Sequence, residues 1–139
     1  TQLAMSNGIP AFTPEFVERL EKAAEPGLAE AQWNLGDAYA NGNGVPQNFK
    51  EAVKWYKKTA EQGDADAQHN LGGAYFFGNG VIKNKIQGYA WWNIAAANGH
   101  EDAKEWKAEV AEEMTKEEID KAQDLSREMV KTNPKLMGD

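Results

Sequence analysis

The sequence predicts an all-α repeat solenoid. Three observations carry that expectation: a gapless internal duplication, apolar residues at helical spacing inside each copy, and helix-capping residues that recur in step with the copies. Residues 29–64 align with 65–100 at an offset of 36, and 16 of the 36 positions are identical. They include Ala31/Ala67, Gln32/Gln68, Asn34/Asn70, Leu35/Leu71, Gly36/Gly72, Tyr39/Tyr75, Trp55/Trp91 and Gly63/Gly99. Chance would give about two at ordinary composition. The pattern extends outward. Ala24 and Gly27 stand 36 residues before Ala60 and Gly63, and Ala103 stands 36 after Ala67. The chain therefore divides into an arm (1–12), a half-repeat helix (13–27), two full repeats (28–63 and 64–99), capping helices (100–132) and a tail (133–139).

Each element has its own justification. Thr13-Pro14 is a cap followed by a first-turn proline, opening a helix to about Glu25. The first helix of the first repeat runs from about Leu28 to Asn41, and its copy from about Ala65 to Phe77. Ala31, Leu35, Ala38 and Tyr39 recur there at helical spacing as one apolar stripe. Gly36 and Gly72 fall inside these helices, where glycine is less favourable than alanine by about 1 kcal/mol. Their recurrence implies a helix crossing too close for a Cβ. Asn41-Gly42-Asn43-Gly44 and Gly78-Asn79-Gly80 are turns. Asn48 with Glu51, and Asn84 with Gln87, have the spacing of capping boxes opening the second helices, which Gly63 and Gly99 end. A helix from about Glu101 to Met114 follows. Thr115 with Glu118 is another capping box, and Asn133-Pro134 closes its helix.

Composition narrows the function. One domain of 139 residues with 41% hydrophobic residues can build a core. The net charge of −7 argues against nucleic acid, whose phosphates need a concentrated positive face. The absence of cysteine removes disulfides, thiolate nucleophiles and cysteine-ligated zinc. No apolar run reaches the ~20 residues of a membrane span, and no signal peptide is visible.

The pattern A-x-A-Q-x-N-L-G-x-x-Y-x-x-G-x-G-V, followed by W and then A-x-x-G, resembles the Sel1-like repeat, a relative of the tetratricopeptide repeat. Ala29 to Gly44 and Ala65 to Gly80 match its first helix and loop; Trp55 to Gly63 and Trp91 to Gly99 match its second helix. The tail from Met114 to Gln123 is similar to the end of many bacterial proteins of this kind. One departure is Lys50-Glu51-Ala52 becoming Ile86-Gln87-Gly88, which loses a helix-favouring alanine. The resemblance implies a right-handed α–α superhelical solenoid of TPR/Sel1-like helix pairs with a C-terminal capping helix. It implies an adaptor rather than an enzyme, and favours a periplasmic or secreted setting over the cytoplasm.

Local chemistry is sparse. His69 and His100 stand 31 positions apart, without metal-ligand spacing, and His69 replaces Trp33 of the other copy. The Gly-Asn-Gly loops lack the Lys-Ser/Thr of a phosphate cradle. The acids from Glu101 to Glu113 read as a solvated helix face. No catalytic residue, metal or cofactor is assigned. Tyr39, Tyr75, Trp55 and Trp91 recur and read as core. Trp33, His69, Phe76, Phe77 and Trp92 differ between copies, so the repeat architecture does not need them and they are candidates for partner selection.

The resemblance further implies that the first helix of each pair lines the concave face. That assigns a groove to Glu30, Trp33, Asp37, Asn41, Asp66, His69, Gly73, Phe76, Phe77, Asp102, Glu105 and Glu109, with an aromatic floor and an acidic rim. Lys50, Lys54, Lys57 and Lys58 should lie on the other side. The expected partner is a protein or peptide with basic and apolar residues. No nucleic acid and no membrane insertion are expected, and weak self-association could occur through an exposed end. A cell-envelope glycan or peptidoglycan, stacked on exposed aromatics, is the alternative ligand.

Overall fold

The computed structural model describes residues 5–6, 9–10 and 13–138. Most of the expected arm lies outside the described residues, as does Asp139. Within it, β1 (Met5–Ser6) and β2 (Ile9–Pro10) pair antiparallel. Seven α-helices follow among the described residues: α1 (Pro14–Ala24), α2 (Ala29–Asn41), α3 (Phe49–Glu61), α4 (Ala65–Phe77), α5 (Lys85–Ala97), α6 (Glu101–Val110) and α7 (Lys116–Thr132). The all-α solenoid is what the duplication predicts.

The caps explain the boundaries. Thr13 accepts from Phe16 N at 3.1 Å. Asn48 and Asn84 accept from Glu51 N and Gln87 N at 3.1 and 3.0 Å. The side chains of Glu51 and Gln87 do not return the bond, so neither is a full capping box. Thr115 and Glu118 do form one, with both bonds made. Gly42 and Gly78 end α2 and α4 in the left-handed conformation, with φ 70° and 76°, which glycine adopts without a Cβ clash.

Consecutive helices from α1 to α6 pack on one another, and α7 folds back on α5. Three buried clusters follow the chain. One surrounds Leu35 and Trp55, the next Leu71, Trp91 and Ile94, the last Trp92 and Met114. The repeated glycines sit where the sequence expects a close crossing. A Cβ on Gly36 would come within 2.6 Å of the Tyr56 ring, and one on Gly72 within 2.6 Å of Trp92. Gly88 now has a reason. Its Cβ would lie 2.7 Å from Gly72 O and 2.7 Å from Phe76 N, so α5 touches α4 backbone to backbone. The alanine lost from this helix was exchanged for proximity.

The expected tail is an ordered strap. After α7 the chain makes a 3-10 turn, Pro134–Met137, and returns to the turn between the repeats. Leu136 is buried. Its carbonyl accepts from Gln68 Nε2 and Asn98 Nδ2, each at 2.8 Å, and Asn133 Nδ2 donates to Glu61 O at 3.0 Å. A repeat-spaced amide ladder underlies it. Gln32 Nε2 donates to Ala24 O and Gln68 Nε2 to Ala60 O, while Gln62 and Asn98 donate to Gln32 Oε1 and Gln68 Oε1.

Candidate functional site

The described surface carries an aromatic hollow of ≈ 300 Å³ along α4. His69, Asn70, Gly73 and Phe77 of α4 form its floor, since positions spaced by three and four share a helix face. Phe49 and Tyr56 of α3 make one wall and Trp106 of α6 the other. Three of these rings are unusually open: Phe49 is 46% exposed, Phe77 49% and Trp106 41%. Large apolar groups gathered at a concavity mark a contact surface, whereas scattered ones mean little.

The rings are held by one another. Trp106 meets Phe77 edge-on at 5.9 Å and His69 at 6.0 Å, and lies 5.9 Å from Trp92. Trp92 is fully buried beneath them, and its indole N–H donates to His69 O at 3.0 Å. Such aromatic pairs add about 0.5–1.5 kcal/mol each beyond burial. Opposite them, Tyr56 donates its hydroxyl to Asp37 Oδ1 at 2.9 Å. Burial, then the Asp37 charge, pushes the Tyr56 hydroxyl far above its ordinary pKa, so it remains a donor.

At one end of the hollow His69 stacks on His100 at 4.5 Å. His100 is fixed twice. Its Nδ1 accepts from Ala103 N at 3.1 Å, capping α6, and its Nε2 lies 3.0 Å from Asp66 Oδ1. Burial, then the neighbouring His100, lowers the His69 pKa.

The residues expected in the groove are distributed unevenly. His69, Gly73 and Phe77 line the hollow. Asp37 reaches it through Tyr56. Trp33 is half-buried, its ring 5.3 Å from that of Tyr56. Asn41 is exposed and donates to Asp37 O at 3.0 Å. Phe76 is 2% exposed and belongs to the core, because its position on α4 faces Trp92 and α5. Glu30, Asp66, Asp102, Glu105 and Glu109 are exposed on α2, α4 and α6 without lining the hollow. Lys50, Lys54, Lys57 and Lys58 are absent from its lining. Lys54 and Lys58 instead lie over the Trp55 ring.

Phe49, Tyr56 and Trp106 escaped the sequence reading. The signal existed. Phe49 faces Lys85 in the other copy, and Trp106 stands 36 positions after Asn70, itself a copy of Asn34. Phe49 and Tyr56 differ from Lys85 and Trp92 within the gapless block, whereas Trp106 lies beyond it.

Residues 29–64 and 65–100 each match the Sel1 repeat family model. The chain belongs to the Sel1 repeat family. Solved structures agree with that membership. A protective antigen of uropathogenic Escherichia coli displaying an SLR fold aligns with a TM-score of 0.82 and 32% identity, over 89% of this chain and 27% of its own. A Sel1 repeat protein from Oxalobacter formigenes aligns at 0.68 and 37% identity, over 74% of this chain and 41% of its own. Helicobacter pylori cysteine-rich protein B aligns at 0.60 and 32% identity, over 64% of this chain and 67% of its own. The chain thus spans about a quarter of the length of the first and about two fifths of the second. No curated protein matches the sequence. Sel1 repeat proteins are generally protein–protein interaction scaffolds, and typically not catalysts. Among the described residues no helix is long and apolar enough to cross a membrane, and no cluster of three or more His, Cys, Asp or Glu could hold a metal ion.

Proposed function

We propose that this Sel1 repeat protein is an adaptor that takes a protein or peptide segment in the hollow along α4. One observation carries the reading: Phe49, Phe77 and Trp106, each between 41% and 49% exposed, surround one concavity floored by His69 and Gly73. An apolar side chain of the partner enters between the rings, and burying it supplies about 1.5–3 kcal/mol. Acidic residues on the flanking helices, Glu30, Asp66, Asp102, Glu105 and Glu109, favour positive charge beside that anchor and raise the rate of encounter. Asp66 is partly committed to His100, so Asp102 and Glu105 are the freer of these acids near Trp106.

A photoreactive side chain at Asn79, which lines the hollow, tests the assignment against one at Lys57 on the exposed face of α3. Crosslinking of a host protein from position 79, abolished by W106A and F77A, is the expected outcome. Equal crosslinking from position 57 contradicts the site. Retention of glycan instead of protein, lost in the same variants, contradicts the peptide assignment.

A further inference from the structure

The two repeats hold the same amide device, but the strap occupies it once. At the second repeat Gln68 Nε2 uses both hydrogens, on Ala60 O and Leu136 O, and Asn98 Nδ2 joins it on Leu136 O. At the first repeat, among the described residues, Gln32 Nε2 is engaged only by Ala24 O, and Gln62, in the place of Asn98, donates to Gln32 Oε1 at 2.7 Å and, at a long 3.4 Å, to Lys58 O instead of a strap carbonyl. Gln32 is 3% exposed, and its second amide hydrogen has no protein partner among the described residues. The glycines tell the same story. A Cβ on Gly63 would strike Lys135 O at 2.5 Å and Gly138 Cα at 2.7 Å, whereas one on Gly27 would meet nothing within 4 Å among the described residues. Both have positive φ, 98° and 102°, so the backbone is alike and only the occupant differs. In place of the strap there is a hollow of ≈ 490 Å³, lined by Glu25, Gly27, Gln32, Lys58, Glu61 and Gln62 and reaching Asn133 and Lys135 of the strap itself.

We propose that this Gln32–Gln62–Gly27 site binds a turn of a partner protein by its main-chain carbonyl, as Gln68 and Asn98 bind Leu136, with an acidic side chain in the place of Leu136. Two exchanges between the copies alter the charge of the hollow, Ile94 to Lys58 and Ala97 to Glu61, and the first sets the preference because only Ile94 belongs to the cluster that buries Leu136. Leu136 is buried in the cluster that contains Ile94, and the residue 36 positions before Ile94 is Lys58. Lys58 lines the vacant hollow with its ammonium 5.3 Å from the centre of the Trp55 ring. An aspartate or glutamate satisfies that ammonium where leucine would leave it desolvated. The site is distinct from the aromatic hollow and does not depend on its function. The occupant is not the strap of a second copy, because that strap is held by its own Gln68 and Asn98 and keeps Leu136 buried.

The test titrates an eight-residue synthetic peptide of residues 131–138 carrying L136E into the full chain, followed by NMR of the side-chain amides. The expected result is saturable shifts at Gln32 and Gln62. Binding should weaken about tenfold in Q62A, the loss of one well-placed hydrogen bond, and persist in Q62N, which installs the amide of the second repeat. In K58I the preference should reverse toward the unsubstituted peptide. Absence of shifts at Gln32 and Gln62 up to the peptide's solubility limit overturns the proposal. Shifts confined to Gln68 and Asn98 mean exchange with the strap, and shifts confined to Trp106 mean capture by the aromatic hollow; either also overturns it.

Discussion

His69 lies almost flat against His100, with ring centroids 4.5 Å apart and planes 16° from parallel. His100 is pinned by the Ala103 amide and Asp66, so it cannot turn away. Among the described residues, His69 Nδ1 is buried without a hydrogen-bond partner. The stack therefore joins the amino terminus of α6 to the floor of the hollow and holds Trp106 beside Phe77.

A pH dependence follows. Burial and His100 lower the His69 pKa below its ordinary value of 6.5, so the folded chain binds fewer protons there than the unfolded one. Stability from this group is fully present above 6.5 and is lost as pH falls from 6.5 through the folded pKa. Urea midpoints measured at pH 7.5 and 5.5 should fall less in H69Q than in the native chain. Equal falls contradict the assignment.

The helical glycines separate by their surroundings. Gly88→Ala forces a Cβ onto Gly72 O and Phe76 N, both backbone atoms that cannot step aside. It should destabilise by about 1–3 kcal/mol despite alanine's better helix propensity. Gly73→Ala meets only Trp92 Cζ2 at 4.0 Å and should stabilise by up to about 1 kcal/mol. Thermal or urea denaturation of the two variants checks the opposite signs.

The strap makes a further prediction. Leu136 is 3% exposed and joins the cluster around Leu71 and Trp91. Leu136→Ala should cost about 2–5 kcal/mol, as for other buried leucines. Hydrogen exchange should show the loss concentrated where the strap meets the repeat turn, at Glu61 to Gly63. A loss below about 1 kcal/mol would mean that the strap rests on the repeats without stabilising them.

The helices were legible because duplication, caps and apolar spacing all pointed the same way. Asn48, Asn84 and Thr115 mark their helix starts within a residue, and the structural neighbours display the same solenoid. Two things were not legible. The strap depends on contacts 68 and 72 residues apart, from Gln68 to Leu136 and from Asn133 to Glu61, which no local pattern reveals. The hollow depends on which side of a helix a ring takes. Phe76 and Phe77 are neighbours in sequence, yet a rotation of about 100° per residue sends one into the core and leaves the other open.

Trp106 is the residue on which the functional account turns. It is open enough to meet a partner, and its removal leaves Trp92 covering the core beneath. The decisive measurement is the affinity of the segment crosslinked at position 79, titrated calorimetrically into the native chain and into W106A. The account predicts a loss of about 2 kcal/mol or more, roughly thirtyfold, in a W106A chain that gives up three ring contacts yet stays folded by circular dichroism. Unchanged affinity in a folded W106A chain would contradict it.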